Sequence, residues 1–108
     1  DNGKQQSLHQ QKKDSDIEVV DLHAEALLET TAGMKAADIL NYQLDVVRKT
    51  LDKYKNNKGK RIIFIHGKGE GVLRHAVIHE LNYKYKTYLY QDASFQEYGY
   101  GATQVTIK

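Results

Sequence analysis

The sequence contains no cysteine, and it has neither a long apolar run nor a large excess of one charge. Without cysteine there is no disulfide framework and no thiolate metal site, which fits a reducing compartment. No apolar run approaches the roughly 20 residues that a membrane span needs. The net charge of +2 does not by itself indicate a polynucleotide partner, so the distribution of charge along the chain must show whether to expect one. We expect a soluble, cytoplasmic protein that has no membrane partner.

The length of 108 residues predicts one domain with a single core. Residues 1–15 hold one large apolar side chain, Leu8, among glutamines and balanced charges. Such a segment buries too little surface to offset the entropy of ordering, so we predict a disordered linker or tail before a domain at residues 16–108.

The chain begins with Asp1 rather than Met. We therefore expect upstream domains of the same longer chain.

Hydrophobic periodicity predicts an alternating α/β order of strand, helix, strand, helix, strand, strand. Residues 17–23, "IEVVDLH", alternate as a strand with a polar end, whereas residues 61–66, "RIIFIH", are the nearly continuous apolar run of a covered strand. Two helices and two further strands come from the 3.6-residue and two-residue patterns of residues 37–60, 71–85, 86–93 and 102–108.

Each of the first two predicted strands ends in a histidine, His23 and His66. A strand–helix–strand crossover within one sheet is almost always right-handed and leaves its strands parallel, so both strands end at the same edge. Open α/β sheets characteristically place ligand sites at this carboxyl edge. If the two strands are neighbours, the two histidines lie close together there.

A glycine-rich loop, "HGKGEG", follows the second strand and opens the second helix. Its glycines allow positive φ and close approach of a ligand, and the helix N-terminus offers unpaired N–H groups to an anion. We predict that the loop binds phosphate; a tight strand-to-helix turn without a ligand is the alternative. The predicted binding residues are Lys60, Gly67, Lys68, Gly69, Gly71 and Arg74.

Two nucleotide-binding motifs are excluded for this loop, one for mononucleotides and one for dinucleotides. A P-loop would end in Gly-Lys-Ser/Thr, and the dinucleotide fingerprint would need glycine where Val72 stands. The phosphate backbone of a nucleic acid is therefore the better ligand.

Two other groups of side chains have ordinary structural explanations. His75 and His79 have the i, i+4 spacing of zinc ligands, but nearby sequence offers no obvious third ligand, so we predict no metal site. The tyrosines of the last third favour strand and core use. Tyr98 and Tyr100, which lie in a glycine-containing loop, are the candidates for stacking on bases.

Three segments together resemble the Smr (small MutS-related) domain family: "VVDLH" at residues 19–23, "IHGKGEGVLR" at residues 65–74, and "YGYGATQVTI" at residues 98–107. The resemblance extends over about residues 17–108. The family usually has glycine after the first histidine, whereas this chain has Ala24, followed by an insertion before the helix. We expect a divergent member, such as the C-terminal module of a larger Bacteroidetes protein.

The resemblance implies a two-layer β-α-β-α-β-β sandwich, with a four-stranded mixed sheet and two helices, similar to the C-terminal domain of bacterial translation initiation factor three. It also implies binding of DNA or RNA, with endonuclease activity in several members. Carried over by position, the family's catalytic residues fall on Asp21, His23 and His66.

The predicted chemistry is acid–base catalysis of phosphodiester cleavage by two imidazoles, one of them oriented by a carboxylate. RNA can supply its 2′-hydroxyl as nucleophile, so the sequence requires no cofactor, whereas DNA would favour a water activated by Mg²⁺ or Mn²⁺. Two alternatives stay open: a non-catalytic DNA- or RNA-binding module, and a protein-interaction module of a larger protein.

Overall fold

The computed structural model describes residues 16–99 and 101–108; the predicted linker at residues 1–15 lies outside this part of the chain, as does Tyr100. The described residues form, in order, β1 (Ile17–Asp21), α1 (Ala24–Leu27), α2 (Ala36–Lys53), β2 (Arg61–Ile65), α3 (Val72–Lys84), β3 (Leu89–Asp92), α4 (Phe95–Tyr98) and β4 (Ala102–Thr106). In this part of the chain, no helix combines the length and apolar composition of a membrane span.

The four strands form one mixed sheet in the order β1-β2-β4-β3. β1 and β2 are parallel neighbours, whereas β4 runs antiparallel to both β2 and β3. The predicted α/β fold with a four-stranded mixed sheet and two main helices is confirmed. The sequence patterns did not resolve the short helix α4.

Both long helices pack on the same face of the sheet and give the fold two layers. The apolar stripe of α2 buries Leu44, Val47 and Leu51, because these residues recur on one side of the helix. The rest of the shared core comes from the sheet, from α3 and from the segments that follow β1 and β4. Its residues are Leu22, Ile62, Phe64, Val77, Leu81, Val105 and Ile107.

The opposite face of the sheet carries a smaller cluster. Ile63, Ala93 and Ala102 are buried there, and Tyr98 of α4 packs against them. Val19 lies opposite Ile63 in the β1–β2 register, so it shares this face, and its side chain is 47% exposed. This face, which we call the open face, is therefore covered in part by α4 and exposed elsewhere.

One buried charge joins the two long helices. Glu80 of α3 is only 8% exposed. Arg48 of α2 donates to it from Nε and Nη2 at 3.0 and 2.8 Å, and donates from Nη1 to Asp45 at 2.8 Å. These hydrogen bonds from Arg48 hold the pKa of Glu80 below its usual value. The pair explains why a carboxylate occupies the otherwise apolar side of α3.

Replacing Arg48 by alanine should destabilise the fold by about 3 kcal/mol, because the buried carboxylate of Glu80 loses both hydrogen bonds and keeps only the 4.0 Å contact with Lys84. Urea unfolding at neutral pH measures this change. Lys49→Ala, which removes an exposed charge from the next position of the same helix, is the control and should have little effect. Equal losses for the two variants would contradict a special role of the Arg48–Glu80 pair.

Candidate functional site

Four chain segments meet at one edge of the sheet. The carboxyl ends of β1, β2 and β3 lie there, together with the start of β4, since β4 runs in the opposite direction. Asp21, Ile65 and Ala102 stand side by side across three strands in register. Just beyond the strands, the N–H of Leu22 donates to the carbonyl of Ile65 at 2.8 Å, which continues the β1–β2 pairing.

Asp21 and His23 form a hydrogen-bonded pair at this edge. Oδ1 of Asp21 lies 2.7 Å from Nδ1 of His23 and also accepts the backbone N–H of His23 at 2.9 Å. That backbone hydrogen bond is the main reason why the pKa of Asp21 is lowered, so the carboxylate stays ionised. Because a carboxylate only accepts, a neutral ring of His23 carries its proton on Nδ1 and leaves Nε2 as a free base.

Nε2 of His23 faces the glycine-rich loop. A methyl group added to Gly67 would lie 2.8 Å from this nitrogen, which is closer than side-chain carbons approach. Gly67 also has a φ of 85°, in the left-handed region that favours glycine. The side chains of Asp21 and His23 remain 49% and 41% exposed, so solvent and a ligand can reach the pair.

His66 lies at the same edge but is buried, with 8% exposure. Its Nε2 lies 2.8 Å from the hydroxyl of Thr103, and its Nδ1 lies 3.2 Å from the carbonyl oxygen of Gly67. Since a carbonyl only accepts, Nδ1 carries the proton of the neutral ring, and Nε2 accepts from the Thr103 hydroxyl. Burial lowers the pKa of His66 and outweighs the hydrogen bond to the Gly67 carbonyl, which acts in the opposite direction. Both ring nitrogens are therefore engaged within the fold.

The loop is fixed to the sheet by a close contact between two glycines. The carbonyl of Gly101 accepts the N–H groups of both His66 and Gly67, at 2.8 and 2.9 Å. A Cβ on Gly101 would lie 2.4 Å from the carbonyl carbon of Gly67, so no side chain fits at position 101. The predicted motif at residues 98–107 thus contributes the backbone on which the first residues of the loop rest.

Residues 68–70 of the loop are exposed, and α3 begins directly after Gly71, which has a φ of 85°. The N-cap residue, Gly71, has no side chain to cap this helix, and its carbonyl accepts the N–H of His75 at 2.9 Å. Arg74, in the first turn, contacts Asp92 at the end of β3 at 3.3 Å. Lys68 and Arg74 are therefore the cations beside the helix N-terminus.

Lys60 is not brought to this loop. It precedes β2, whereas the loop follows β2, so the length of the strand, about 20 Å, separates Lys60 from Gly67. Nζ of Lys60 lies over the ring of Tyr54 at 4.6 Å. The predicted phosphate-binding residues in the segment 67–74 lie together in space. Lys60, which was predicted with them, lies at the opposite end of β2.

The histidines of α3 lie outside the pair at the sheet edge. His75 approaches Gly71, and the ring of His79 is stacked on Tyr83 with centroids 6.2 Å apart. Among residues 16–99 and 101–108, no group of three histidine or acidic side chains is placed to hold a metal ion.

Sequence reasoning missed Thr103, Gly101 and Asp92 as parts of this site. Thr103 and Asp92 are cross-strand partners in the β3–β4 pairing, and each contacts a predicted site residue, His66 and Arg74 respectively. Only the antiparallel insertion of β4 beside β2 brings these residues to the edge. Gly99 and Gly101 were the sequence signal of the close contact between this segment and the glycine-rich loop.

The fold and this edge define a class of protein: a small α/β domain in which a carboxylate–histidine pair and a glycine-rich loop meet at the carboxyl ends of parallel strands. The model of the Smr domain family matches residues 33–108. The chain belongs to this family, whose domains are nucleic-acid-binding modules. The match begins after the first motif, so Asp21 and His23 lie outside the matched range.

A solved structure supports the same assignment. The chain is similar to the crystal structure of the Smr domain of Thermus thermophilus MutS2, with 25% sequence identity and a TM-score of 0.62. The similarity covers 84% of this chain and 98% of that one. A comparison with curated proteins gave no match.

Acidification should destabilise the domain through His66. The unfolded imidazole titrates near 6.5 and the folded one below it, so between the two values the unfolded chain binds more protons. This contribution to stability is fully present above 6.5 and is lost as the pH falls toward the lowered value. Urea unfolding at about pH 7.5 and about pH 5.5 should show a smaller loss for His66→Gln than for the wild type.

The matched control for this titration is His79→Gln, which changes an exposed histidine of α3. It should keep the pH dependence of the wild type. An unchanged pH dependence in His66→Gln would contradict the neutral, buried state of His66.

Proposed function

We propose that this domain binds the phosphate backbone of a nucleic acid at the edge formed by residues 21–23 and 66–74, and that it cleaves RNA there. The observation that carries the proposal is the orientation of His23: Nδ1 is bonded to Asp21 at 2.7 Å, while Nε2 faces the glycine-rich loop. A base whose free nitrogen points at a predicted phosphate site is placed for proton transfer.

In the proposed reaction, Nε2 of His23 takes the proton of an RNA 2′-hydroxyl. The 2′-oxygen attacks the adjacent phosphorus, the bond from phosphorus to the 5′-oxygen breaks, and the leaving 5′-oxygen takes a proton from solvent. The products are a 2′,3′-cyclic phosphate and a 5′-hydroxyl. Asp21 holds the tautomer that presents Nε2 and stabilises the imidazolium that forms.

His66 acts in this proposal as a positioning residue. Its bonds to Thr103 and to the Gly67 carbonyl support the turn against which His23 lies. A direct catalytic role of His66, predicted from the family, would require one of these bonds to open in the complex with substrate.

Ala24 is compatible with the proposed geometry. It is the first residue of α1, and among the described residues no non-glycine residue has a positive φ. The backbone after His23 therefore does not demand the glycine that the family usually has, and the contact between Asp21 and His23 forms with alanine in place.

Phosphate binding is supported by the loop itself. The exposed residues 68–70 lead into an α3 N-terminus without a side-chain cap, where N–H groups and the helix dipole favour an anion. Arg74 faces Asp92 across a contact of 3.3 Å that is exposed on both sides. Such a contact contributes little, so Arg74 can exchange it for a phosphate.

His23→Ala should lower the rate of cleavage of labelled single-stranded RNA by about 100-fold or more, because it removes the general base. Asp21→Asn should also lower the rate, since an amide can present its N–H and favour the wrong tautomer of His23. Both variants should retain RNA binding. The measurement is a single-turnover time course with product ends identified as cyclic phosphate and 5′-hydroxyl.

The control for this experiment is His75→Ala, which removes an exposed histidine of α3 near the loop. Each reaction is run with chelator and with Mg²⁺ or Mn²⁺, and duplex and branched DNA are included as substrates. Cleavage that survives in His23→Ala would contradict the assigned base. Cleavage only of DNA, and only with metal, would replace the 2′-hydroxyl by a metal-activated water.

Combined Lys68→Ala and Arg74→Ala changes should flatten the dependence of log K on log salt by about two, one for each lost phosphate contact. Binding is measured by fluorescence anisotropy at several salt concentrations. Lys60→Ala is the matched control, since this lysine lies at the other end of β2. An equal change in the Lys60 variant would mean that the bound strand continues along the whole sheet.

A second candidate function is a binding module without cleavage. It is favoured by the range of the family match, which includes the glycine-rich loop but not Asp21 or His23. Salt-sensitive binding with no turnover of any substrate would select it. A protein-interaction module would instead show a strong protein partner and only weak polynucleotide binding that salt removes.

A further inference from the structure

Phe95 is a large aromatic residue that lies outside the two buried clusters. It is the first residue of α4, and its side chain is 55% exposed. Tyr98, one turn later, is the residue of this helix that packs against the buried cluster of Ile63, Ala93 and Ala102. The short helix is therefore anchored by Tyr98, while Phe95 remains accessible beside it.

α4 lies on the same face of the sheet as the Asp21–His23 pair. Asp21, Ile65 and Ala102 are cross-strand partners, so their side chains share the open face. Tyr98 and Ile65 pack against the same buried cluster on that face. Residues three apart on a helix are neighbours, so Phe95 lies next to Tyr98 at this cluster.

The separation between the pair and α4 is short. From Asp21 to Ala102 the row crosses two strand spacings, about 10 Å. Ala93 donates its N–H to the Ala102 carbonyl at 3.0 Å, which fixes the start of the α4 segment to the end of that row. This separation puts Phe95 within reach of a nucleotide next to a phosphate at His23.

We propose that Phe95 stacks on an unpaired nucleobase next to the cleaved phosphate and so makes single-stranded RNA the preferred substrate. Aromatic side chains on sheet surfaces bind bases in this way without demanding a particular base. In a duplex the faces of each base are already stacked on their neighbours, so a paired base cannot use Phe95. This inference rests on the nucleic-acid binding proposed above and adds the specificity for unpaired nucleotides.

α4 itself carries the acidic Glu97, and the cations that favour a polynucleotide over a protein partner lie elsewhere at this edge of the sheet. Lys68 and Arg74 lie at the same edge of the sheet, in the loop and in the first turn of α3. A base on Phe95 and a phosphate on the loop are the two chemical parts of one nucleotide chain. The ring and the cations thus fit a single ligand.

The test compares wild type, Phe95→Ala and Phe95→Tyr in binding a single-stranded RNA and a blunt duplex of the same sequence. A single 2-aminopurine, moved through the single strand, reports stacking by quenching of its fluorescence. Tyr83→Ala is the matched control, because Tyr83 is an aromatic residue with 67% exposure on α3, in the other layer. Circular dichroism and thermal melting check that each variant is folded.

We expect Phe95→Ala to weaken binding of the single strand by about tenfold and to remove quenching at one or two positions. The slope of affinity against salt and the affinity for the duplex should stay unchanged, and Phe95→Tyr should restore wild-type binding. Tyr83→Ala should behave as wild type.

Two results would overturn this inference in distinguishable ways. Salt-sensitive RNA binding that is unchanged in Phe95→Ala would remove the stacking role and leave the proposed function standing. A wild-type domain that binds neither single strand nor duplex would remove both. Loss of a protein partner in Phe95→Ala, with RNA binding intact, would assign this surface to a protein instead.

Discussion

The contact between the backbones of Gly67 and Gly101 determines the rest of the site. The Gly101 carbonyl accepts two successive N–H groups, those of His66 and Gly67, and the chains are too close for a side chain at position 101. This contact fixes where the turn after β2 lies relative to β4. The imidazole of His23 then fits against Gly67 because neither residue of the contact carries a Cβ. The position of the His23 imidazole is thus a consequence of backbone packing.

The two histidines at the edge share a location but differ in environment. His23 is exposed, and its Nδ1 faces an ionised carboxylate. His66 is buried and is held between the hydroxyl of Thr103 and the carbonyl of Gly67. Burial disfavours the charged form of a histidine, and it lowers the pKa of His66. Two residues of the same type therefore differ in what they contact: the exposed ring of His23 is paired with a carboxylate, and the buried ring of His66 supports the turn.

The sequence predicted the four strands and the two long helices, and it placed His23 and His66 at one edge of the sheet, because crossover handedness makes parallel neighbours end at the same edge. It did not predict that β4 inserts beside β2, since strand order depends on which faces can be buried together. For that reason Thr103 and Asp92 were missed. Lys60 was grouped with the loop because it is near in sequence, although a strand separates the two. The Arg48–Glu80 pair was missed because the periodicity of each helix says nothing of its partner.

The position of β4 also orders the assembly of this site in time. β4 is the last strand along the described chain, yet it lies between β2 and β3, and both of its edges are paired. A nascent chain that has not yet added residues 101–106 lacks both the acceptor for the loop and the hydroxyl that His66 binds. In such a chain β2 pairs only with β1, and β3 lacks the strand with which it pairs in the complete sheet. The contacts that hold the glycine-rich loop and His66 therefore form only after residues 101–106 have been synthesised.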